Sequence, residues 1–282
     1  MNTPRLQILL CTNGFEATRP ALSYGIWLAE LLQLHVVLLG VLEHPEDRQR
    51  LDNLVEETAK RLEEKKIIYV TMARSGRASI EISKHAQQGN YLTVVGPFGR
   101  PTWRRWVRGR TFRRLLARMS TPLLYVPVGV NRINHILLCM GGLGFAFSME
   151  HMALYLAQAT GARFTLLNIV EPITLDYPTS RQAHDDWKHL MDTKTPQGEN
   201  LQRALKEAQQ AGLKADVKIR HGNIVREIMQ ELHNGDYDLV GLGSPYSVRG
   251  LRQLYMPNVT AEVAEAANCP VLTVRSGYEF EG

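Results

Sequence analysis

The chain repeats itself, and that limits its fold more than any local propensity does. Ile8-Leu9-Leu10-Cys11 returns as Ile136-Leu137-Leu138-Cys139, and Leu28-Ala29 returns as Leu156-Ala157. Leu38-Leu39, followed by Val41-Leu42-Glu43, returns as Leu166-Leu167, followed by Ile169-Val170-Glu171. These three matches share one spacing of 128 residues. Later matches lie further apart: Arg74-Ser75-Gly76 with Arg220-His221-Gly222, and Thr121-Pro122-Leu123-Leu124 with Cys269-Pro270-Val271-Leu272. A spacing that is constant and then grows is what duplication followed by insertion leaves behind. The insertion falls in the polar stretch Pro172 to Pro196. We therefore expect two domains, residues 1–130 and 131–282, with a short linker around Val128 to Arg132. A chain of 282 residues accommodates two domains of that size.

Within each copy the hydrophobic period switches between strand-like and helix-like. In copy one the apolar run Leu6 to Cys11 predicts a strand, and Thr12-Asn13-Gly14 a turn. Leu22, Ile26, Ala29 and Leu32 share one face of a helix over Ala17 to Leu32. His35 to Leu42 is a buried strand by its Val and Leu density. Glu46 to Lys66 is charged, with an apolar stripe of Leu51, Leu54, Val55, Ala59 and Leu62, and predicts a surface helix packed on one side. The pattern continues with strand 67–72, helix 78–88, strand 92–95, a Gly- and Arg-containing loop, helix 112–119 and strand 123–126. Copy two repeats this order from Ile133 to Val274. Five strands alternating with four helices give the α/β class: two tandem doubly wound open parallel sheets of five strands each. In such sheets ligands bind beyond the carboxyl ends of the strands, where the strand order reverses. The loops after the first and fourth strands are the places to look for chemistry.

The loop after the fourth strand of copy one contains Gly96, Gly99 and Gly109, with the spacing Gly-x2-Gly-x9-Gly. Glycines let backbone N–H groups approach a phosphate with no Cβ between them. A helix starting near Thr111 adds free N–H groups and a dipole that favour an anion. Given that spacing, its place between strand and helix, and the Thr-Pro before the closing strand, each copy resembles a universal stress protein domain. The resemblance covers nearly the whole chain. It implies an adenine-nucleotide-binding fold in which this glycine loop cradles ATP or another adenine nucleotide, with Mg as its companion. It implies a contact set of Asn13, Gly14, Val41, Gly96, Gly99, Arg100, Gly109, Arg110 and Thr111. Two positions depart from the family pattern. Arg110 stands where the family uses Ser or Thr, although Arg holds phosphate in a bidentate way and Thr111 can serve as hydroxyl or helix cap. Asn13 stands where the family has Asp, so it hydrogen-bonds without charge. Glu43 or His44, at the end of the second strand, is a further polar candidate. Three glycines also suit plain tight turns at a helix entry, a purely structural alternative.

Copy two has eroded. Gly243 remains, Tyr246 replaces the second glycine, and Pro257-Asn258 stands one residue out of step with the last. The first-strand loop Met140-Gly141-Gly142-Leu143-Gly144 has no acid. We expect copy two to be a structural partner that no longer binds ATP in the family manner. Single-domain relatives in this family dimerise through the closing strand. The resemblance therefore implies a pseudo-dimer of the two domains through Leu123 to Val126 and Val271 to Thr273, with further homo-oligomerisation open.

Other signals constrain function by what they lack. His184-Asp185-Asp186 with His189 hints at a metal, but a spacing of five does not put both imidazoles on one helical face, so a solvated loop is expected. A lysine P-loop, a Gly-x-Ser-x-Gly elbow and adenylating signatures are not found, so no catalytic residues are assigned and ATP hydrolysis is expected to be slow at most. The three cysteines are scattered, and the short apolar start has no secretory cleavage site, which together give an expected cytoplasmic location. Net charge is only +5. Eight arginines nevertheless fall between Arg100 and Arg118 with no acid among them. Interleaved with Trp103, Trp106 and Phe112, they offer a second reading, a nucleic acid or anionic membrane binder. A third reading is an interaction module for an unknown protein partner, with both pockets decayed.

Overall fold

The computed structural model describes residues 6–98, 109–129, 132–140, 147–170, 187–244, 259–275 and 278. They form two compact units, the first mainly Met1–Asn131, with which Asn268–Leu272 is grouped, and the second mainly Arg132–Ala267 with Thr273–Phe280. By place in the repeat, the elements divide between Asn131 and Arg132.

The first unit is built from β1 (Gln7–Thr12), α1 (Arg19–Leu32), β2 (Val36–Leu42), α2 (Arg48–Glu64), β3 (Tyr69–Ser75), α3 (Ala78–Ala86), β4 (Tyr91–Val95), α4 (Gly109–Arg118) and β5 (Leu123–Tyr125). Its strand order is β3-β2-β1-β4-β5, and every pairing in it is parallel. β1 is central: Ile8 lies beside Val36 on one side and Leu92 on the other. Such a strand is buried on both faces, which is why β1 and β2 read as continuous apolar runs rather than alternating ones. α1 buries Leu22, Ile26, Ala29 and Leu32, as its spacing requires, and also Tyr24 and Leu28. Removing a side chain such as Leu28 would cost about 2–5 kcal/mol. α2 departs from its expected stripe, because Thr58 takes a buried place beside Leu51, Leu54 and Leu62. The Thr58 hydroxyl donates to Leu54 O at 2.6 Å, which satisfies its polarity inside the helix.

Element boundaries differ from the sequence reading at several places, among them β3, α3 and α4. β3 runs to Ser75 instead of ending at Met72, because its partner β2 continues to Leu42 and the ladder carries Ala73, Arg74 and Ser75 with it. α3 stops at Ala86, two residues early. α4 begins at Gly109 rather than at Thr111 or Phe112, so the last glycine of the motif is the first helical residue.

The second unit is built from β6 (His135–Met140), α5 (Phe147–Thr160), β7 (Arg163–Val170), α6 (Pro196–Gln210), β8 (Ala215–His221), α7 (Ile224–Asn234), β9 (Leu239–Ser244), α8 (Val259–Ala266) and β10 (Val271–Arg275). Its order, β8-β7-β6-β9-β10, repeats that of the first unit. Ile136 lies beside Phe164 and Leu239, so Ile8 and Ile136 occupy equivalent central strands. Residues 172–186 of the expected insertion lie outside the described residues, as do His184, Asp185 and Asp186. The remainder is anchored: Trp187–Asp192 forms a 3-10 turn, Leu190 is fully buried, and Thr195 caps α6 by accepting from Gly198 N at 3.2 Å. His189 is exposed, 3.8 Å from Asp192. Among the described residues no helix is long and apolar enough to cross a membrane.

Candidate functional site at the carboxyl end of the first sheet

The strand order of the first unit reverses at β1, between β2 and β4. Parallel strands end on the same side, so the residues after Thr12, Leu42 and Val95 come together there. Asn13 is only 3% exposed, although it follows the last residue of β1. Its Nδ2 donates to Glu43 Oε2 at 3.4 Å. Its Oδ1 is buried with no partner. Glu43 is half-buried, and its other oxygen accepts from Ala78 N, at the start of α3, at 3.0 Å. Arg77, the N-cap residue of α3, makes no side-chain cap, and Glu43 reaches across from β2 to do that work. Of the two polar candidates at the end of β2, Glu43 therefore joins Asn13, whereas His44 is exposed.

The turn after β1 is held by hydroxyls. Thr12 Oγ1 and Thr18 Oγ1 are 2.7 Å apart, Thr18 Oγ1 donates to Phe15 O at 2.7 Å, and Gly14 N donates to Thr12 Oγ1 at 3.1 Å. The Arg50 guanidinium lies 4.6 Å from the Phe15 ring centroid and pairs with Asp47 at 3.1 Å. This ties the start of α2 to the turn.

Two of the glycines in this region are required by the chain's own packing. Gly14 has φ +85°, and a Cβ there would stand 2.7 Å from the backbone of Leu51. A Cβ at Gly96 would lie 3.1 Å from Thr18 Cα and 3.2 Å from Ala17 O. Both are needed so that the chain can pack on itself. Val41 is fully buried, which leaves only its backbone for any contact. Gly99 and Arg100 lie outside the described residues, together with Trp103 and Trp106. Of Gly109, Arg110 and Thr111 the backbone is described, as the first turn of α4. A helix following a parallel strand returns from its carboxyl end, so the free N–H groups of that turn belong to the same end of the sheet as Asn13. Phe112, which the polyanion-binder reading set among the arginines, is core: it is buried, with its ring 4.5 Å from that of Tyr125.

The second unit offers no such set among its described residues. A Cβ at Gly243 would meet no described atom within 4 Å, unlike one at Gly96. Two buried carboxylates of this unit are engaged in structure. Glu150, fully buried on α5, accepts from both Arg203 terminal nitrogens at 3.1 and 2.8 Å, and Arg203 also meets Glu207 at 2.8 Å. Glu231, buried on α7, accepts from Lys218 Nζ at 2.7 Å, Tyr237 Oη at 2.6 Å and Arg220 Nε at 2.8 Å. Burial opposes ionisation of Glu231, but these donors hold its carboxyl below the usual range. The same environment pushes the Tyr237 hydroxyl up to about 12, first by burial and then by its bond to Glu231.

The model of the universal stress protein family matches residues 5–127 and again residues 132–275, which is most of the chain. The chain belongs to the universal stress protein family. It carries two tandem domains of that family, which accounts for the repeat. No curated protein matches it. Among solved structures it is similar to a universal stress protein from Archaeoglobus fulgidus, with 14% identity, TM-score 0.70 and 96% of each chain covered. It is also similar to a protein of unknown function from Pseudomonas aeruginosa PAO1, with 16% identity, TM-score 0.69, and coverage of 97% of this chain and 93% of that one. At these identities the likeness establishes the α/β fold of the tandem universal stress protein and nothing about ligands.

One internal signature went unread in the sequence. Gly89-Asn90-Tyr91 and Gly235-Asp236-Tyr237 are the same turn in the two domains. In each, the tyrosine ring occupies the space that a Cβ on the glycine would need. A search for Gly-x-Tyr at equivalent places would have found it.

Proposed function

We propose that the first domain binds an adenine nucleotide, ATP in the leading reading, at the carboxyl end of its sheet, and that the second domain is a structural partner. The observation that carries this reading is the unpartnered Oδ1 of Asn13. A buried acceptor without a donor costs about 1–3 kcal/mol, and a ligand that supplies a hydroxyl or amino donor would remove that cost. Glu43 adds a carboxylate 3.4 Å from the Asn13 amide, which restores beside Asn13 the charge that the family's Asp would carry. Each carboxylate oxygen has a second lone pair free for a ribose hydroxyl. The phosphates would then face the first turn of α4, with Gly96, Gly99, Arg100, Gly109, Arg110 and Thr111 as their contacts and Mg as their companion. Gly14 and Val41 complete the set through backbone. No residue here is assigned to catalysis, and binding without rapid turnover fits a cytoplasmic protein that reports on nucleotide state to a partner.

The test is calorimetric titration of adenosine, ADP and ATP into the intact protein and into Asn13→Leu. The account expects Asn13→Leu to weaken all three alike, since Asn13 serves the nucleoside. Unchanged affinities would place the site elsewhere. An absence of nucleotide binding by the wild type would favour an interaction module whose pockets have both decayed.

We also propose domain limits of 1–130 and 131–282. The pseudo-dimer is likewise a proposal, resting on the apolar closing segments Leu123 to Val126 and Val271 to Thr273. Residues 1–130 expressed alone are expected to dimerise or aggregate in light scattering, and a stable monomer would contradict it.

A further inference from the structure

We propose that the exposed face of α3 and α4 docks onto the phosphate backbone of a nucleic-acid duplex. The two helices pack side by side, and Gln87 Nε2 donates to Arg118 O at 3.4 Å, which sets their register. One turn back from that bond, Lys84 stands on α3 and Arg114 on α4. Lys84, Arg114 and Arg118 are all exposed, as are Arg74 and Arg77 just before α3. None of the five pairs with a carboxylate among the described residues. The one acid on the exposed side of α3, Glu81, is half-buried and packs toward Gly76.

The geometry suits an extended polyanion. Arg114 and Arg118 are one turn apart, about 6 Å along the axis, and packed helices lie about 8–10 Å apart. The cations therefore form two rows over a flat face, and a duplex presents a phosphate charge about every 1.7 Å of its axis. Single-stranded nucleic acid is less suited to this face, because stacking needs exposed aromatic rings and the described residues of α3 and α4 expose none. Phe112, the aromatic residue of α4, is in the core. A lipid surface is also less suited: Ile80 is the only large apolar side chain α3 and α4 expose among the described residues, at 36%. The more exposed Ile68 and Val70 stand on β3, outside the helix pair.

The second domain is an internal control. Its equivalent helices, α7 and α8, expose Arg226 and His233 but also Glu265, with Glu262 half-buried. The cationic face is therefore a property of the first domain and not of the fold.

The test is fluorescence anisotropy of a labelled DNA duplex titrated with the intact protein at several salt concentrations, with anionic phosphatidylserine vesicles as the second probe. Five phosphate contacts would give a slope of log K against log salt of about −4 to −5. The triple variant Lys84→Gln/Arg114→Gln/Arg118→Gln is expected to bind at least tenfold more weakly at 100 mM salt, with the slope shallower by about 3. Arg226→Gln in the second domain is expected to change neither. Circular dichroism melts show that each variant is folded, and Arg114→Glu/Arg118→Glu provides a second way to remove the face. Binding that ignores salt, survives both first-domain variants, or goes to vesicles and not to duplex would overturn the proposal, as would no duplex binding at all.

Discussion

β3 and β8 are the same strand in the two domains, yet they cover opposite chemistry. Beneath β8, Glu231 is surrounded by Lys218, Arg220 and Tyr237, and its carboxylate is fully partnered. Beneath β3, the equivalent helix position is His85, buried against Tyr91 at 5.5 Å with neither ring nitrogen bonded. Met72 and Arg74 stand where Lys218 and Arg220 do. The helices that follow differ in the same sense. α7 caps itself, with Asn223 Oδ1 accepting from Arg226 N at 3.1 Å, whereas α3 borrows Glu43 from β2. Around Glu231 the second domain uses its polar residues to hold itself together. At the equivalent place the first leaves His85 unbonded, and at the carboxyl end of its sheet it leaves Asn13 Oδ1 without a partner.

The largest expected effect is at the partnered carboxylate. Glu231→Ala leaves Lys218 without its acid and Arg220 with Glu227 alone, and is expected to cost about 3–5 kcal/mol, read by denaturant unfolding with hydrogen exchange followed on β8 and α7. His85→Leu removes two unbonded nitrogens and is expected to be neutral or stabilising. Equal losses from the two variants would dissolve the contrast.

The glycines sharpen it next. Gly14→Ala forces a Cβ into the Leu51 backbone at positive φ and is expected to cost about 2–3 kcal/mol. A Cβ at Gly243 meets no described atom within 4 Å, and Gly243→Ala is expected to stay within about 0.5 kcal/mol. A smaller effect is expected at the caps. Asn223→Ala should lose about 1 kcal/mol, while Glu43→Gln, which keeps an oxygen for Ala78 N, should lose less stability but weaken nucleotide binding.

The smallest effect is a pH dependence. Burial, and after it the Arg74 guanidinium, holds His85 below its ordinary range. A depressed native value means that this contribution is fully present above about pH 6.5 and is lost as pH falls through the lower native value. The first domain should therefore soften on acidification below pH 6.5, and His85→Leu should flatten that part of the profile. A steeper profile in His85→Leu would show that another group is responsible.

Much of this was legible in the sequence. The common spacing of Ile8 with Ile136 and of Leu38 with Leu166 places both central strands correctly, because a duplicated core preserves its apolar register. The role of Gly14 and Gly96 was not legible: spacing shows that a glycine is needed, but not whether a phosphate or the chain's own backbone requires it. Glu43 was legible as a polar candidate for the site, but its choice over His44 was not, nor was the Glu231 cluster. Those contacts are made by side chains that only the pairing of strands brings together. The start of α4 at Gly109 was missed because glycine disfavours helix interiors but is tolerated in a first turn.

The central claim is that the two domains have divided binding from structure. It is tested most directly by titrating ATP calorimetrically into the wild type, Gly109→Asp and Gly243→Asp. Gly109→Asp puts a negative side chain at the first turn of α4, where the phosphates are proposed to lie, and Gly243→Asp does the same at the equivalent strand end of the second domain. The account expects the wild type and Gly243→Asp to bind one nucleotide with similar affinity and Gly109→Asp to show no binding. Binding that survives in Gly109→Asp and disappears in Gly243→Asp would contradict it.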